Sequence, residues 1–411
     1  MARVFSDRIV VSIDIGTTKI CVIVAQQLDG EHVQVLGIGK SPSDGLKKGV
    51  VVDVAKTIVS IKNAVKEAEI MAGFEIESAY IGISGGHIQS INSHGVFPVK
   101  KGEVRQADID AVIEAAKAIK IPEGQQILHT MPQYFILDSQ DKVQSPLGMH
   151  CVRLEVMAHI ILGSIASVQN LVKCCEMAGV KVKDIVLEQL ASAQAVLSPD
   201  ERELGVAVLD IGGGTSDLAL YQHGNIRHTM VLPVAGNHFT NDVAIGLRTT
   251  LKDAERIKVS YGCALEELLE RDSVFEVEMV HGKQKRTAKL SELTGILHAR
   301  AQEILVLIHD EITQKKLQSF MPSGLVITGG GSLLLGMKEL GEQIFAMPVR
   351  IGYPRVEFDL PDSLTSPMYA TSYGLILHAL KKGQQIALDK GDDSLSNRII
   401  TRMKSWVSDF F

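Results

Sequence analysis

Short apolar runs alternate with amphipathic stretches along most of the chain, which predicts an α/β architecture. Val10–Asp14 and Ile20–Ala25 read as strands on either side of a Gly-Thr-Thr turn, and Val54–Met71 carries helical spacing that ends near Gly73. Ala79–Ser84 is a further short strand, giving way to Gly85 and Gly86. From about Ser84 to His159 the rhythm changes. One helix is expected over Ala107–Ile119, broken by Pro122, followed by short strands at Ile127–His129, Gln133–Leu137 and Val152–His159. Residues 84–159 therefore read as a small inserted α+β unit. Helical spacing returns over Ser164–Ala178 and stops at Gly179, before the strand Lys183–Leu187.

The chain then repeats itself. Val11-Ser-Ile-Asp-Ile-Gly-Thr-Thr-Lys-Ile-Cys-Val aligns with Val208-Leu-Asp-Ile-Gly-Gly-Gly-Thr-Ser-Asp-Leu-Ala-Leu when Asp14 is set on Asp210. Each copy is an apolar strand, an Asp, a Gly/Thr turn and a second apolar strand, so two duplicated α/β domains around a cleft are expected. A third turn, Val326-Ile-Thr-Gly-Gly-Gly-Ser-Leu-Leu-Leu-Gly, follows a short strand and leads into a helix.

Past Lys381 the apolar content drops, and 381–394 reads as a flexible linker with a typical end-to-end distance of about 20 Å. Residues 395–411 are patterned again. On a helix, Leu395, Ile399, Ile400, Met403, Trp406, Val407, Phe410 and Phe411 fall within an arc of roughly 160°, interrupted only by Ser396. Arg398, Arg402 and Lys404 lie on the opposite face with Asn397, Thr401, Ser405, Ser408 and Asp409. Cations on one side with Trp and Phe on the other describe a helix lying in a membrane interface, each cation adding about 1 kcal/mol near anionic lipid. The other reading is a terminal helix docked on its own domain. One such helix binds modestly, but several on one filament gain through effective concentration, which would link polymerisation to membrane attachment.

Composition narrows the field. With 411 residues, 45% of them hydrophobic, the chain can bury a real core, and roughly 150 residues per domain gives two or three domains. A net charge of −6 argues against nucleic acid as a partner. Five cysteines without a Cys-x-x-Cys pair argue against a disulfide framework or thiolate zinc site, and Cys174-Cys175 reads as core. No stretch approaches the ~20 apolar residues of a spanning helix, and the N-terminus lacks the apolar core of a secretory signal. A protein of the cytoplasmic side is expected.

A Gly/Thr-rich turn points N–H groups and hydroxyls at an anion. A single such turn could simply be a hairpin that needs glycine; two, each begun by an Asp at a strand end, call for chemistry. Magnesium with a nucleotide needs carboxylates there, because the ion is held through one or two of them plus phosphate oxygens. Asp14 and Asp210 are the candidate metal residues, with Gly16, Thr17, Thr18, Gly212, Gly213, Gly214 and Thr215 around the phosphates. Lys19 could direct its ammonium at the same phosphates or be an ordinary edge-strand lysine.

These segments resemble the actin and heat-shock-chaperone ATPase superfamily, whose phosphate loops look like Asp14–Lys19 and Asp210–Asp217 and whose adenosine motif looks like Thr328–Ser332, with Gly329, Gly330 and Gly331. The resemblance implies ATP and Mg²⁺ as cofactors. It also implies a water-positioning role for Glu188 in Leu187-Glu-Gln-Leu-Ala-Ser-Ala, and ribose and base contacts from Glu255 and Lys258, with Gly236 at the same site. The second connecting segment looks like Tyr369-Ala-Thr-Ser-Tyr-Gly-Leu. Within the superfamily, Gly82-Ile-Ser-Gly-Gly-His-Ile, Ser145-Pro-Leu-Gly-Met-His-Cys-Val-Arg-Leu-Glu and the terminal tail resemble the FtsA-like family of bacterial cell-division proteins.

That resemblance implies a first actin-like domain from 1–83 with 160–200 and 360–380, and a second from 201–359 with 241–308 as its outer subdomain. It implies a polymerising protein with weak or no ATPase activity, peripheral on the cytoplasmic face of the inner membrane at the division site. The expected partners are further copies of itself, anionic lipid, the C-terminal peptide of the tubulin-like FtsZ, and later division proteins. Arg300 is the candidate FtsZ contact. A small-molecule kinase of the same fold would need a substrate-side Asp as base, and none stands out. A chaperone ATPase would need a peptide-binding domain beyond residue 380, and an actin-like pilus-assembly protein would not explain the basic tail as well.

Overall fold

The strand Ile9–Ile15 lies at the centre of a five-stranded sheet in the order Lys181–Leu187, Ser78–Ile83, Ile9–Ile15, Lys19–Gln27, Val33–Pro42. Its neighbours on one side form an antiparallel meander and those on the other run parallel. A second sheet, Asn225–Leu232, Ser216–Gln222, Val206–Ile211, Leu325–Thr328, Val349–Ile351, repeats this topology strand for strand. Val206–Ile211 is buried throughout, which is why it reads as a continuous apolar run rather than an alternating one. The computed structural model describes residues 9–28, 33–140, 142–280, 285–355 and 360–389, with side chains as far as Lys382.

Local chemistry sets the helix limits. Asp53 caps Val54–Ala72 by accepting from the Lys56 N–H, and Gly73 at φ +81° closes the helix onto Glu69 O. The helix rests directly on the strand Val33–Pro42, because a Cβ at Gly39 would lie 1.8 Å from Ala64 O. Two further helices, Glu188–Val196 and Ala370–Asp389, join the halves. They cross at Gly374, where a Cβ would lie 1.8 Å from Ala191 O.

The insert is a four-stranded antiparallel sheet, Gln89–Pro98, Arg153–Ser164, Gln125–Leu137, Lys142–Val143, backed by the helix Gln106–Ala116. Val112, Phe135, Leu154, Val156 and Ile160 form its own core. Each such side chain contributes about 1.5–3 kcal/mol on burial. The expected strands Ile127–His129 and Gln133–Leu137 are one continuous strand. Pro132 is accommodated at a bulge, where Met157 pairs with Tyr134 and Ala158 with Pro132, leaving Gln133 as the extra residue. The helix expected over Ala107–Ile119 stops at Ala116, and the last strand runs beyond 159 to Ser164.

The expected linker is also corrected at its start. The helix Ala370–Asp389 continues through the first part of 381–394, because Lys, Gln, Ala and Leu there favour helix and only Gly383 opposes it. The remainder of that segment and the amphipathic tail, Leu395 to Phe411 with its Arg398, Arg402, Lys404 and Trp406, lie outside the described residues. Among the described residues no helix is long and apolar enough to cross a membrane.

Candidate functional site

The two hairpins close in the same way. Gly16 N–H donates to Lys19 O at 3.0 Å, and Gly212 N–H donates to Thr215 O at 2.9 Å. Their tips face one another across the cleft. A Cβ at Gly213 would lie 2.4 Å from Thr18 Cγ2, and one at Gly214 would lie 2.3 Å from Thr17 Oγ1. The threonines of the first turn thus require glycines in the second. The third turn touches the same floor: Gly329 has φ +81°, and a Cβ there would lie 2.3 Å from Asp210 Oδ1.

A cleft of about 310 Å³ opens between these turns, at the lower end of the range for ligand sites of roughly 300–1,000 Å³. It brings together Asp14, Gly16, Thr17, Thr18, Lys19, Glu188, Asp210, Gly212, Gly213, Gly214, Thr215, Gly236, Glu255, Lys258, Gly329, Gly330 and Gly331, every cleft residue singled out from the sequence. Arg300 is elsewhere, on the helix Leu290–Gln314, where its Nε donates to Asp242 Oδ2 at 2.6 Å and a second nitrogen pairs with Glu303.

Carboxylates dominate the floor. Ser372 Oγ donates to Asp14 Oδ2 at 2.7 Å and Thr371 Oγ1 to Asp210 Oδ2 at 2.9 Å. Asp217 accepts from Ser84 and, at 2.8 Å, from Thr215. Burial, and secondarily the charge of Asp14, lifts the Asp210 carboxyl to about 6. Burial again leads at Asp217, at about 7, with Asp210 adding to it. Glu188 is pushed well above the usual range by burial and then by Asp14, Asp217 and Asp210. Against these stands Lys19, whose Nζ reaches Asp14 Oδ2 at 3.4 Å and Met368 O at 2.7 Å. Burial works to lower its pKa, but the Asp14 charge and its other neighbours outweigh burial, and the net shift is upward.

The part of the cleft beyond Gly236, whose N–H donates to Gly212 O at 2.9 Å, is different. Lys258 Nζ pairs with Glu255 Oε2 at 2.6 Å and donates to Thr240 Oγ1 at 2.9 Å and Gly236 O at 3.3 Å. Phe239, Val259, Leu333, Leu334 and Met368 supply apolar wall. One end can therefore grip phosphates through turn N–H groups, hydroxyls and an ammonium, while the other can hold a flat, partly apolar group through packing and a Lys–Glu pair.

The donor set fits magnesium. It offers hard carboxylate oxygens in excess over positive charge, and among the described residues no three such groups form a ready-made cage. Magnesium keeps waters and takes one or two carboxylates together with substrate phosphates, so a cage is not required.

Asp217, Thr371 and Ser372 were not singled out from the sequence as site residues. Asp217 occupies the place in the second hairpin that Cys21 holds in the first, paired across from Asp210 as Cys21 is from Asp14. An aspartate within an apolar strand was its signal. Thr371 and Ser372 fell within the connecting segment Tyr369-Ala-Thr-Ser-Tyr-Gly-Leu but were given no site role. Only the packing of the helix start against both strand ends brings their hydroxyls to the carboxylates.

Two copies of one sheet topology around such a cleft define the actin-like ATPase fold. Solved structures agree. The chain is similar to the PilM–PilN type IV pilus biogenesis complex, at a TM-score of 0.65 and 17% identity over 90% of this chain and 98% of that one. It is similar to MreB 5 of Spiroplasma citri bound to AMPPNP, at a TM-score of 0.56 and 17% identity over 92% and 98%. The family model for cell division protein FtsA matches residues 207–374, and that for the SHS2 domain inserted in FtsA matches 85–162. The cell division protein FtsA of Pseudomonas aeruginosa is 42% identical over the full length of both chains, and that of Neisseria meningitidis is 41% identical over 97% of this chain and 98% of its own. The chain belongs to the FtsA family of cell-division proteins, and the pilus-assembly and small-molecule-kinase readings give way to that membership.

Proposed function

We propose that this chain binds ATP with Mg²⁺ in the cleft, polymerises, and anchors the FtsZ ring to the cytoplasmic face of the inner membrane at the division site while recruiting later division proteins. The observation that carries the cleft part is the meeting of two duplicated turns, one from each domain, over an excess of buried carboxylate. MreB 5 bound to AMPPNP, a neighbour in fold, supports the choice of nucleotide.

Asp14 and Asp210 hold the ion and its waters, and Mg²⁺ supplies the positive charge that the phosphates and carboxylates lack. The turns at Gly16 and Gly212–Gly214, through N–H groups other than the two that close the hairpins, the hydroxyls of Thr17, Thr18 and Thr215, and the Lys19 ammonium orient the phosphates. Glu188, at the start of the connecting helix Glu188–Val196, orients water, and hydrolysis is slow or incidental because the fold can hold ATP without a well-placed water. Gly236, Glu255, Lys258 and the Gly329–Gly331 turn hold the nucleoside. Because both domains contribute, nucleotide favours the closed cleft through its differential affinity, and closure favours contact between subunits.

The tail pattern supports the membrane part. Leu395, Ile399, Ile400, Met403, Trp406, Val407, Phe410 and Phe411 enter the interface while Arg398, Arg402 and Lys404 meet anionic headgroups. Family membership supports FtsZ as the partner, with Arg300 on the outer subdomain as the proposed contact for its C-terminal peptide.

The test uses the single tryptophan. Trp406 emission shifts to the blue when anionic vesicles are added to the assembled protein. A chain ending at Ser394 loses vesicle binding and keeps ATP binding. Unchanged emission and sedimentation would refute the membrane part alone. Absence of ATP binding to the full chain, by calorimetry with Mg²⁺ present, would refute the cleft part alone.

A further inference from the structure

The insert is tied to the second domain as well as to the first, out of which it grows. The chain passes into it from Ser78–Ile83, an inner strand of the first sheet, through Ser84, Gly85, Gly86 and His87. Ser84 is buried, and its hydroxyl donates to Asp217 Oδ1 of the second domain. Further along, Ser90 Oγ donates to Thr229 O at 2.9 Å, Gln133 Nε2 to Arg227 O at 3.0 Å, and His159 Nε2 meets Thr229 Oγ1 at 2.9 Å. Arg227 and Thr229 lie on Asn225–Leu232, the edge strand of the second sheet, which pairs with the strand bearing Asp217 at Asp217–Val231. The contacts therefore reach one small region of the second domain by two routes.

The turn at Ser84 has little local freedom. A Cβ at Gly49 would lie 2.8 Å from Ser84 O, and Gly86 faces Pro233. A displacement of Ser84 is therefore passed along the chain rather than absorbed. His87 sits in the same turn with both ring nitrogens buried and without a protein hydrogen-bond partner, an arrangement that costs free energy unless another state of the turn satisfies them.

We propose that Ser84 is a positioning residue that couples the Asp217 carboxylate in the cleft to the inserted subdomain, so that the insert responds to what the cleft holds. This rests on the nucleotide reading above. Ser84 is not among the residues lining the cleft, so it acts through Asp217. An ion and phosphates arriving beside Asp217 change the charge around its carboxylate. The Ser84 hydroxyl follows, and the turn carries the shift into the strand Gln89–Pro98, whose Ser90 grips the edge strand.

The experiment is hydrogen–deuterium exchange on the full-length protein with and without ATP and Mg²⁺, read on peptides covering 84–98 and 225–232, beside calorimetric ATP binding. In the wild type, ATP changes exchange in both segments. In Ser84→Ala, ATP affinity changes by less than about tenfold, or 1.4 kcal/mol, while the response of 84–98 disappears. Should alanine not fold, as judged by thermal unfolding, Ser84→Cys keeps the shape with a weaker donor and reduces the response. A Ser84 variant that binds ATP and shows the wild-type response of 84–98 overturns the coupling alone. Failure of the wild type to bind ATP overturns the nucleotide reading and the coupling with it.

Discussion

Asp14 and Asp210 come from different domains, yet adjacent hydroxyls hold them: Ser372 Oγ donates to Asp14 at 2.7 Å and Thr371 Oγ1 to Asp210 at 2.9 Å. Both hydroxyls sit in the first turn of Ala370–Asp389, where the partial positive charge of a helix N-terminus also favours carboxylates. One helix start thus positions the paired acids of the duplication and fixes how far apart the two halves of the floor can lie.

Asp210→Ala removes one of the two acids assigned to the ion. ATP binding in the presence of Mg²⁺ is expected to weaken at least about 100-fold, roughly 2.7 kcal/mol, by calorimetry. The fold should survive, because the replacement relieves a buried like-charge contact. Wild-type affinity in this variant would remove the metal role.

Asp217 gives a pH signature. Its folded-state pKa, about 7, lies above the ordinary 3.8, so the folded form holds the proton more tightly than the unfolded one. The resulting destabilisation is absent below about pH 4, grows as pH rises, and is complete above about 7. His159, buried and lowered to about 3, and His129, half-buried but desolvated and lowered to about 4, act in the opposite sense as pH falls below 6.5. The difference between variant and wild type cancels the histidines and reports Asp217 together with its electrostatic effect on Glu188. Without nucleotide, Asp217→Asn should unfold at a higher temperature than wild type at pH 8, with the gap narrowing towards pH 5. A gap independent of pH would contradict the assignment.

Gly374→Ala distinguishes packing from propensity. Alanine in a helix interior ordinarily stabilises by about 1 kcal/mol over glycine. Here its Cβ would lie 1.8 Å from Ala191 O, which is backbone and cannot swing aside. Overpacking of about 1–3 kcal/mol should win, lowering the unfolding midpoint and forcing the two connecting helices apart. A raised midpoint would mean that the helices are not in contact there.

Lys258→Ala should weaken ATP binding by about tenfold, roughly 1.4 kcal/mol, because its ammonium holds Thr240 and Gly236 O and pairs with Glu255 at the nucleoside end. Inorganic triphosphate, which does not reach that end, should bind the variant and the wild type equally. A parallel loss for both ligands, measured by calorimetry, would place Lys258 at the phosphates instead.

The turns around Asp14, Asp210 and Gly329 were legible because their conformations are set by contiguous glycines, hydroxyl residues and aspartates, and the duplication made their shared purpose visible. The helix end at Gly73 was legible for the same reason. The strand Gln125–Leu137 was read as two because Pro132 interrupts it locally; pairing with Arg153–Ser164 through a bulge overrides that break. The linker was placed too early at Lys381, since low apolar content does not oppose a helix already nucleated and anchored upstream.

By itself the sequence determined the repeated strand–turn–strand units, the insert, the amphipathic pattern of the tail and the family, all features written in neighbouring residues or in whole-chain similarity. Only the tertiary structure decided that Ser84, Asp217, Thr371 and Ser372 share one floor, and that burial there lifts Asp210, Asp217 and Glu188 from their ordinary pKa values. Those relationships depend on distances between segments remote in the chain and on the exclusion of water from the space between them, and no local pattern of residues encodes either.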